Sequence, residues 1–223
     1  MKKGKDGFYC RYIKRILDVF FSLIALVVLS VPMIVVALLV RIRIGSPVLF
    51  RQIRIGKDNK KFKLMKFRSM TEARDENGIY LPDDERLVPL GRIIRNSSID
   101  ELPSLLNILH GEMSIIGPRP LPVRYLPRYT AEQLRRHEVK PGLSAPSVVR
   151  GRNTQSWEEQ FSQDVWYVDN VGFLVDAKSV LDTIRIVLTR EGATSGDGGA
   201  RTEFIGIAEI NNFQDSEGNY VKL

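Results

Sequence analysis

Asp100 and Glu101 stand side by side just ahead of apolar residues at helical spacing, Leu102, Leu105, Leu106 and Leu109. The spacing predicts a helix over 100–109, closed by Gly111, with both acids in its first turn. Unpaired N–H groups and the positive end of the helix dipole favour ionised carboxylates there. An ionised carboxylate can attack phosphorus, as in enzymes that form an aspartyl phosphate. The competing reading is purely structural: Ser98-x-x-Glu101 has the form of a capping box.

The neighbouring cations favour chemistry. Arg95 precedes the pair by five residues, Arg119 lies in the stiff turn Pro118-Arg-Pro120, and Lys66 and Arg68 end a basic run. Arginine in fixed geometry binds phosphate bidentately, and lysine adds a compact charge. An attacking carboxylate beside a diphosphate brings negative charges together, so cations are needed to suppress repulsion. Mg²⁺ held by Asp100 and Glu101 with substrate phosphates would complete such a site. The chain has no Gly-x-x-x-x-Gly-Lys-Ser/Thr loop and no Gly-x-Gly-x-x-Gly, so neither common phosphate cradle is indicated.

These residues need a scaffold that the composition supports. With 223 residues the chain can bury a real core and carry an appended element. Its net charge of +7 is concentrated in residues 41–70, where Arg41, Arg43, Arg51, Arg54, Lys57, Lys60, Lys61, Lys63, Lys66 and Arg68 face one acid, Asp58. Such a patch suits phosphates or an anionic membrane face. One cysteine, Cys10, and two histidines argue against a disulfide framework and a cysteine- or histidine-rich metal site.

Val19 to Val40 is free of charge and almost wholly apolar. As one helix it would measure about 33 Å, enough for a hydrocarbon core of about 30 Å. Arg41 and Arg43 follow where a signal peptide would have a cleavage site, which argues against cleavage. Pro32 removes a helical hydrogen bond in mid-segment, and the Ser30 hydroxyl can satisfy a freed backbone group. Both flanks are basic, so charge bias gives a spanning helix no orientation. A kinked span and a re-entrant helix returning to the same face both remain open on these residues.

Beyond it, 47–50 and 62–67 read as strands and 90–94 as a short amphipathic helix. Residues 115–120 form a proline-locked turn, and 130–139, 156–168 and 176–189 are further helices. The polar, glycine-rich residues after Glu191 read as loosely held. The fold class expected is mixed α/β, mostly helical. Its parts are an N-terminal basic and membrane segment (1–45), a catalytic domain (46–190) and a tail (191–223).

The run from Ser97 to Pro120, SSIDELPSLLNILHGEMSIIGPRP, resembles the bacterial sugar transferase family, the monotopic phosphoglycosyl transferases that begin glycan assembly on undecaprenyl phosphate. The resemblance extends through residues 14–18, 62–70, 140–142, 151–153 and Trp157, and covers residues 11–190. It implies that Asp100 attacks the β-phosphate of a UDP-sugar, releasing UMP and leaving a phosphosugar on the enzyme. It also implies that Glu101 is the partner carboxylate, engaged with Mg²⁺ and with activating the acceptor phosphate. Lys66, Arg95 and Arg119 match cationic positions around the phosphates; Arg152 and Asp164 match further pocket residues. It implies a re-entrant helix bent at Ser30 and Pro32, in a bacterial inner membrane with the catalytic domain facing the cytoplasm. Downstream glycosyltransferases join membrane lipid as expected partners. The segment Arg201-Thr-Glu-Phe204 is similar to small members that initiate N-linked glycans, which points to an N-acetylated amino sugar.

Two departures stand out: Ser30-Val31-Pro32 where the family breaks its helix at Ser-Pro, and an altered loop at 143–149 containing Ala145 and Pro146. Two rival readings are a membrane-tethered nucleic-acid binder and an inactive scaffold of the same family. No helix-turn-helix or aromatic-basic motif supports the first, so nucleic acid is not an expected partner. Release of UMP from a UDP-sugar separates both rivals from the enzyme.

Overall fold

A computed structural model of the protein describes residues 4–146, 155–189 and 203–206. A short π-helix, Tyr9–Ile13, runs into α1 (Lys14–Val28), and α2 (Ser30–Arg43) follows. Tyr9–Val28 and Ser30–Arg43 meet at a bend of 64°. No single described helix is long and apolar enough to cross a membrane; the bent pair together has the length and composition.

The bend sits at Leu29, one residue earlier than the Ser30–Pro32 interval expected. Leu29 leaves helical geometry with φ −92° and ψ 5°. Pro32 falls in the first turn of α2, where a missing N–H costs nothing because that donor has no intrahelical partner. The Ser30 hydroxyl donates to the Val27 carbonyl at 2.7 Å, taking up an acceptor at the break. Proline, serine and bend therefore form one device displaced toward the N-terminus.

α1 sorts its side chains by face. Ile16, Phe20, Leu23, Val27 and Val28 are exposed, whereas Lys14, Asp18 and Ser22, four residues apart, are buried against the globular part. Asp18 accepts from the Ser114 hydroxyl and the Ile115 N–H, each at 3.0 Å. Lys14 donates to Asp176 at 2.5 Å, and Asp176 also accepts from Tyr9 at 2.8 Å and Tyr167 at 2.7 Å. Arg15 donates to the Ile108 and Leu109 carbonyls at the C-terminal end of a helix, where the dipole favours a cation.

Two small sheets follow. β1 (Leu49–Ile55) pairs antiparallel with β2 (Lys61–Phe67), Leu49 opposite Phe67 and Ile55 opposite Lys61. The first strand begins two residues later than expected and runs on through Arg51 and Arg54, because pairing with β2 outweighs the apolar signal at its start. Three helices cross next, α3 (Asp83–Arg86), α4 (Pro89–Asn96) and α5 (Ser104–Leu109). β3 (Ser114–Ile116) then pairs parallel with β4 (Gly142–Ser144). A Cβ at Gly142 would lie 2.2 Å from the Gly117 nitrogen, so this close approach of two backbones requires glycine.

The expected helix over 130–139 is split into α6 (Ala131–Leu134) and a 3₁₀ turn, Arg135–Glu138. The last two helices, α7 (Trp157–Asn170) and α8 (Phe173–Thr189), match the periodicity of the sequence. Thr130 and Ser156 both carry full capping boxes. Of the tail expected to be loose, Glu203–Gly206 are described. Phe204 is buried among Leu121, Tyr125, Tyr129 and Phe161, because aromatic burial outweighs the entropy of holding the segment. The rest of the tail, Arg152, and residues 147–149 of the altered 143–149 loop lie outside the described residues; Ala145, within it, is buried.

The Lys14–Asp176 pair tests how α1 is held. Asp176→Ala leaves the buried Lys14 ammonium and the Tyr9 hydroxyl without their acceptor, while Tyr167 keeps the Ile116 carbonyl. A loss of about 3–5 kcal/mol is expected, read as a fall in melting temperature of the detergent-solubilised protein. An unchanged melting temperature would show that the polar stripe does not fasten the helix.

Candidate active site

The site is built where β2, the segment before α5 and the Pro118–Pro120 turn converge. In β2, Phe62 and Leu64 point into the core with Leu105, Ile108 and Met113. By the period of two, Lys66 occupies the next slot on that same inward face, an expensive place for a lysine without a partner. Its partner is Glu101, whose Oε1 lies 2.5 Å from the Lys66 Nζ; the nearer Asp100 oxygen is at 4.0 Å.

α5 is riveted to the free edge of β2. The Ser104 hydroxyl donates to the Met65 carbonyl at 2.8 Å. Asn107 accepts from the Met65 N–H at 3.0 Å and donates to the Lys63 carbonyl at 2.8 Å. Two buried side chains thus take the place of a third strand and fix the distance between Lys66 and the carboxylates. Nothing in the apolar periodicity distinguishes Ser104 and Asn107; a polar pair three apart on the buried side of an apolar helix is the only signal they leave.

The two acids are not in the first turn of an α-helix. They lie in a 3₁₀ turn, Ile99–Glu101, and α5 begins at Ser104. Pro103 has no N–H to reach the Ile99 carbonyl, so Leu102 closes that carbonyl at 3.2 Å in an i→i+3 bond. The capping-box reading also fails: Ser98 makes no side-chain cap and is left-handed, with φ 57°. A serine in that region is uncommon and costs energy, which here turns the chain so that Asp100 enters the site.

Arg119 closes the group from the other side, with its Nη2 3.1 Å from Glu101 Oε1. Behind it Arg136 donates to the Arg119 carbonyl at 2.8 Å and to Asp164 at 2.7 Å, and both members of that pair are fully buried. Asp164 therefore stands behind the site and acts on the turn through Arg136, a residue that sequence reasoning did not single out. Arg95 is spent on Ser69 and Met70. Its charge is still felt at Asp100. Arg68 is buried, braces the backbone carbonyls of Ser46 and Met70, and pairs with Glu72. Its guanidinium supports the loop after β2, away from the two acids. Arg54, Leu64, Lys66, Glu101, Ser104 and Arg119 line one cleft.

The environments drive the two acids apart. Burial pushes the Asp100 carboxyl up to about 6; Lys66 opposes this and the Glu101 charge adds to it. Burial also works against Glu101, but Arg119 and Lys66 outweigh it and hold that carboxyl down at about 2. Glu101 is thus a permanent anion clamped by two cations. Among the described residues none donates a hydrogen bond to the Asp100 carboxylate. One acid organises charge, and its neighbour is left available.

Residues 9–190 match the family model for bacterial sugar transferases. The chain belongs to the bacterial sugar transferase family. It is 47% identical over 198 residues to an uncharacterized sugar transferase, EpsL, of Bacillus subtilis, covering 89% of this chain and 98% of that protein. It is 35% identical over 190 residues to the UDP-N-acetylgalactosamine-undecaprenyl-phosphate N-acetylgalactosaminephosphotransferase of Aeromonas hydrophila, covering 82% of this chain and 45% of that one. It is 32% identical over 181 residues to the UDP-glucose:undecaprenyl-phosphate glucose-1-phosphate transferase of Klebsiella pneumoniae, covering 77% of this chain and 39% of the relative. The chain thus spans nearly all of the Bacillus relative and less than half of the other two.

The raised Asp100 carboxyl makes a stability test. A folded-state value near 6 above an unfolded value near 3.8 means the native site favours the protonated form. Stability is then lost as pH rises between those values. Asp100→Asn removes this term, so it should melt higher than the wild type at pH 7.5, with the gap shrinking at pH 4. Equal melting temperatures at pH 7.5 would mean Asp100 is not strained by burial.

Proposed function

We propose that the protein is a phosphoglycosyl transferase that moves a phosphosugar from a UDP-sugar to undecaprenyl phosphate through an aspartyl intermediate on Asp100, releasing UMP. The observation that carries this reading is the division between the acids: Glu101 clamped by Lys66 and Arg119, Asp100 beside it with no hydrogen-bond donor on its oxygens among the described residues. An Asp100 oxygen attacks the β-phosphorus, and the bond from that phosphorus to the bridging oxygen breaks. The electron pair leaves on UMP. The phosphate oxygen of the acceptor lipid then attacks the same phosphorus and restores the Asp100 carboxylate.

Lys66 and Arg119 stand where the diphosphate brings charge against the carboxylates, and act by electrostatic stabilisation. Asp164 and Arg136 set the turn that aims Arg119. Among the described residues no group of three or more His, Cys, Asp or Glu could hold a metal. Two adjacent carboxylates beside a diphosphate nevertheless fit the way Mg²⁺ is bound, through one or two acids and substrate phosphates. Asp100 and Glu101 would hold it, and when bound it supplies charge neutralisation at the phosphates. The relatives' names carry N-acetylgalactosamine and glucose. The N-acetylated reading of the tail therefore stays a proposal within a UDP-hexose class.

We further propose that the helix pair is re-entrant, seated in the bacterial inner membrane with Met1 and the catalytic part on the cytoplasmic face. The uncharged stretch of each arm, 19–28 and 30–40, measures about 15 Å, too short for a core of about 30 Å. Apart from Ser30 and the terminal Arg41 and Arg43, the exposed side chains of α1 and α2 are apolar, among them Phe20, Val27, Val31, Ile34 and Leu38. Basic residues flank both ends and favour one face.

Two tests follow from this reading. Asp100→Asn should abolish the phosphosugar adduct seen with labelled UDP-sugar, and Arg119→Lys, which loses the planar fork, should lower kcat/KM at least about tenfold. UMP release by the wild type should rise with pH through about 6 as Asp100 ionises. An adduct surviving in the Asp100 variant would exclude covalent catalysis there. For topology, Lys3→Cys with Cys10 replaced should resist an impermeant thiol reagent in intact cells, and adding Pro32→Ala should let some molecules label. Labelling without the proline change would mean that the segment spans the membrane.

A further inference from the structure

β1 carries a cation that the mechanism above leaves unused. Arg54 pairs in register with Phe62, so it projects from the sheet face that also presents Leu64 and Lys66. It lines the same cleft as Lys66, Glu101 and Arg119. Its Nη2 is held by the Gln52 amide oxygen at 2.6 Å, and Nη1 reaches the Pro120 carbonyl only at 3.5 Å. Its Nε is buried and has no partner among the described residues. No described acid forms a salt bridge with it.

A buried guanidinium in that state is costly, and its surroundings make it more so. The charges felt most strongly at Arg54 are those of Arg119 and Arg124, both positive. Burial and these two cations lower its proton affinity, to a pKa of about 10. Arg124 is balanced by Glu203 at 2.8 Å and Arg119 by Glu101. Arg54 alone among the three faces the cleft with its charge unmatched and a donor unspent. An unpaired buried donor in a cleft of excess positive charge is a place for an anion.

We propose that Arg54 is a donor-binding residue that holds the α-phosphate of the nucleotide, the phosphate that departs as UMP. This rests on the function proposed above and adds a second phosphate subsite to it. Lys66 and Arg119 border the carboxylates, where the β-phosphate is attacked. Arg54 lies against the carbonyl of Pro120, next in the chain to Arg119; it feels the charge of Glu101, whereas the cations felt at Asp100 are Lys66, Arg95 and Arg119. When the bond between the β-phosphorus and the bridging oxygen breaks, the new negative charge resides on the α-phosphate group. A fixed guanidinium there stabilises the leaving group as charge develops. Arg54 touches the nucleotide and not the acceptor lipid, although a polyprenol phosphate offers the same phosphate chemistry.

The test uses the full chain in detergent, with Arg54→Gln and Arg54→Lys. Binding of UMP and of uridine is measured by calorimetry, because their ratio reports the phosphate contact and is insensitive to a general loss of folded protein. The preference for UMP should fall about tenfold or more in the glutamine variant and be partly kept by lysine, as expected for loss of a charge-assisted bond. In turnover with UDP-N-acetylgalactosamine or UDP-glucose and undecaprenyl phosphate, kcat/KM should fall for the donor and hold for the acceptor. An unchanged UMP-to-uridine ratio, or a fall confined to the acceptor, would overturn the assignment. If the wild type releases no UMP from any UDP-sugar, the proposed function fails, and the binding ratio still decides the role of Arg54.

Discussion

Two carboxylates on consecutive residues cannot both be buried as anions unless positive charge is built in beside them. That constraint shapes the molecule. Lys66 and Arg119 reach one oxygen of Glu101 from opposite sides, and neither comes from the segment that carries the acids. One arrives on a strand and the other on a turn between two prolines. The fold must therefore hold three separate stretches of chain so that both cations lie within 3.1 Å of one carboxylate oxygen. The polar rivets do that work: Ser104 and Asn107 on β2, and Arg136 on the backbone of Arg119. Burying a fully paired Arg136–Asp164 behind the turn is a costly way to set one carbonyl, and that cost is consistent with a turn whose position matters.

The same constraint explains why the two acids differ. Both are buried, and burial pushes both toward protonation. Glu101 takes the cations and is driven far the other way. Asp100 receives a weaker pull from Lys66 across 4.0 Å and a push from Glu101. Its carboxyl ends at about 6, above the usual carboxylate range.

The sequence revealed chemistry more readily than geometry. The pairing of Asp100 and Glu101, the rigid setting of Arg119 and the basic strand ending in Lys66 can be recognised from residue type and spacing alone. The helix pair announced itself by length and composition, and α7 and α8 by their period. What was illegible depends on contacts distant in sequence. That Pro103 would force a 3₁₀ turn, and so move the acids off the helix proper, depends on one missing hydrogen bond. Arg68 and Lys66 look alike in a basic run, yet β2 ends at Phe67, so Lys66 keeps the inward face of the strand while Arg68 turns to backbone carbonyls. Arg136 carries no local signal at all, because its importance lies in a partner 28 residues away.

The polar stripe of α1 has a consequence for anyone wishing to handle this protein without lipid. Lys14, Asp18 and Ser22 make the apolar helix an inner wall of the globular part, and Arg15 closes the end of α5. Cutting the chain after the helix pair would not release a water-soluble enzyme. It would strip the shared wall from the catalytic half, leaving Asp176, Ser114 and the ends of α5 facing solvent with their partners gone. Nor could a generic membrane tether stand in for it, since grease alone supplies none of those bonds. In this architecture the helix pair is a structural part of the globular fold, and truncation would remove one of its walls.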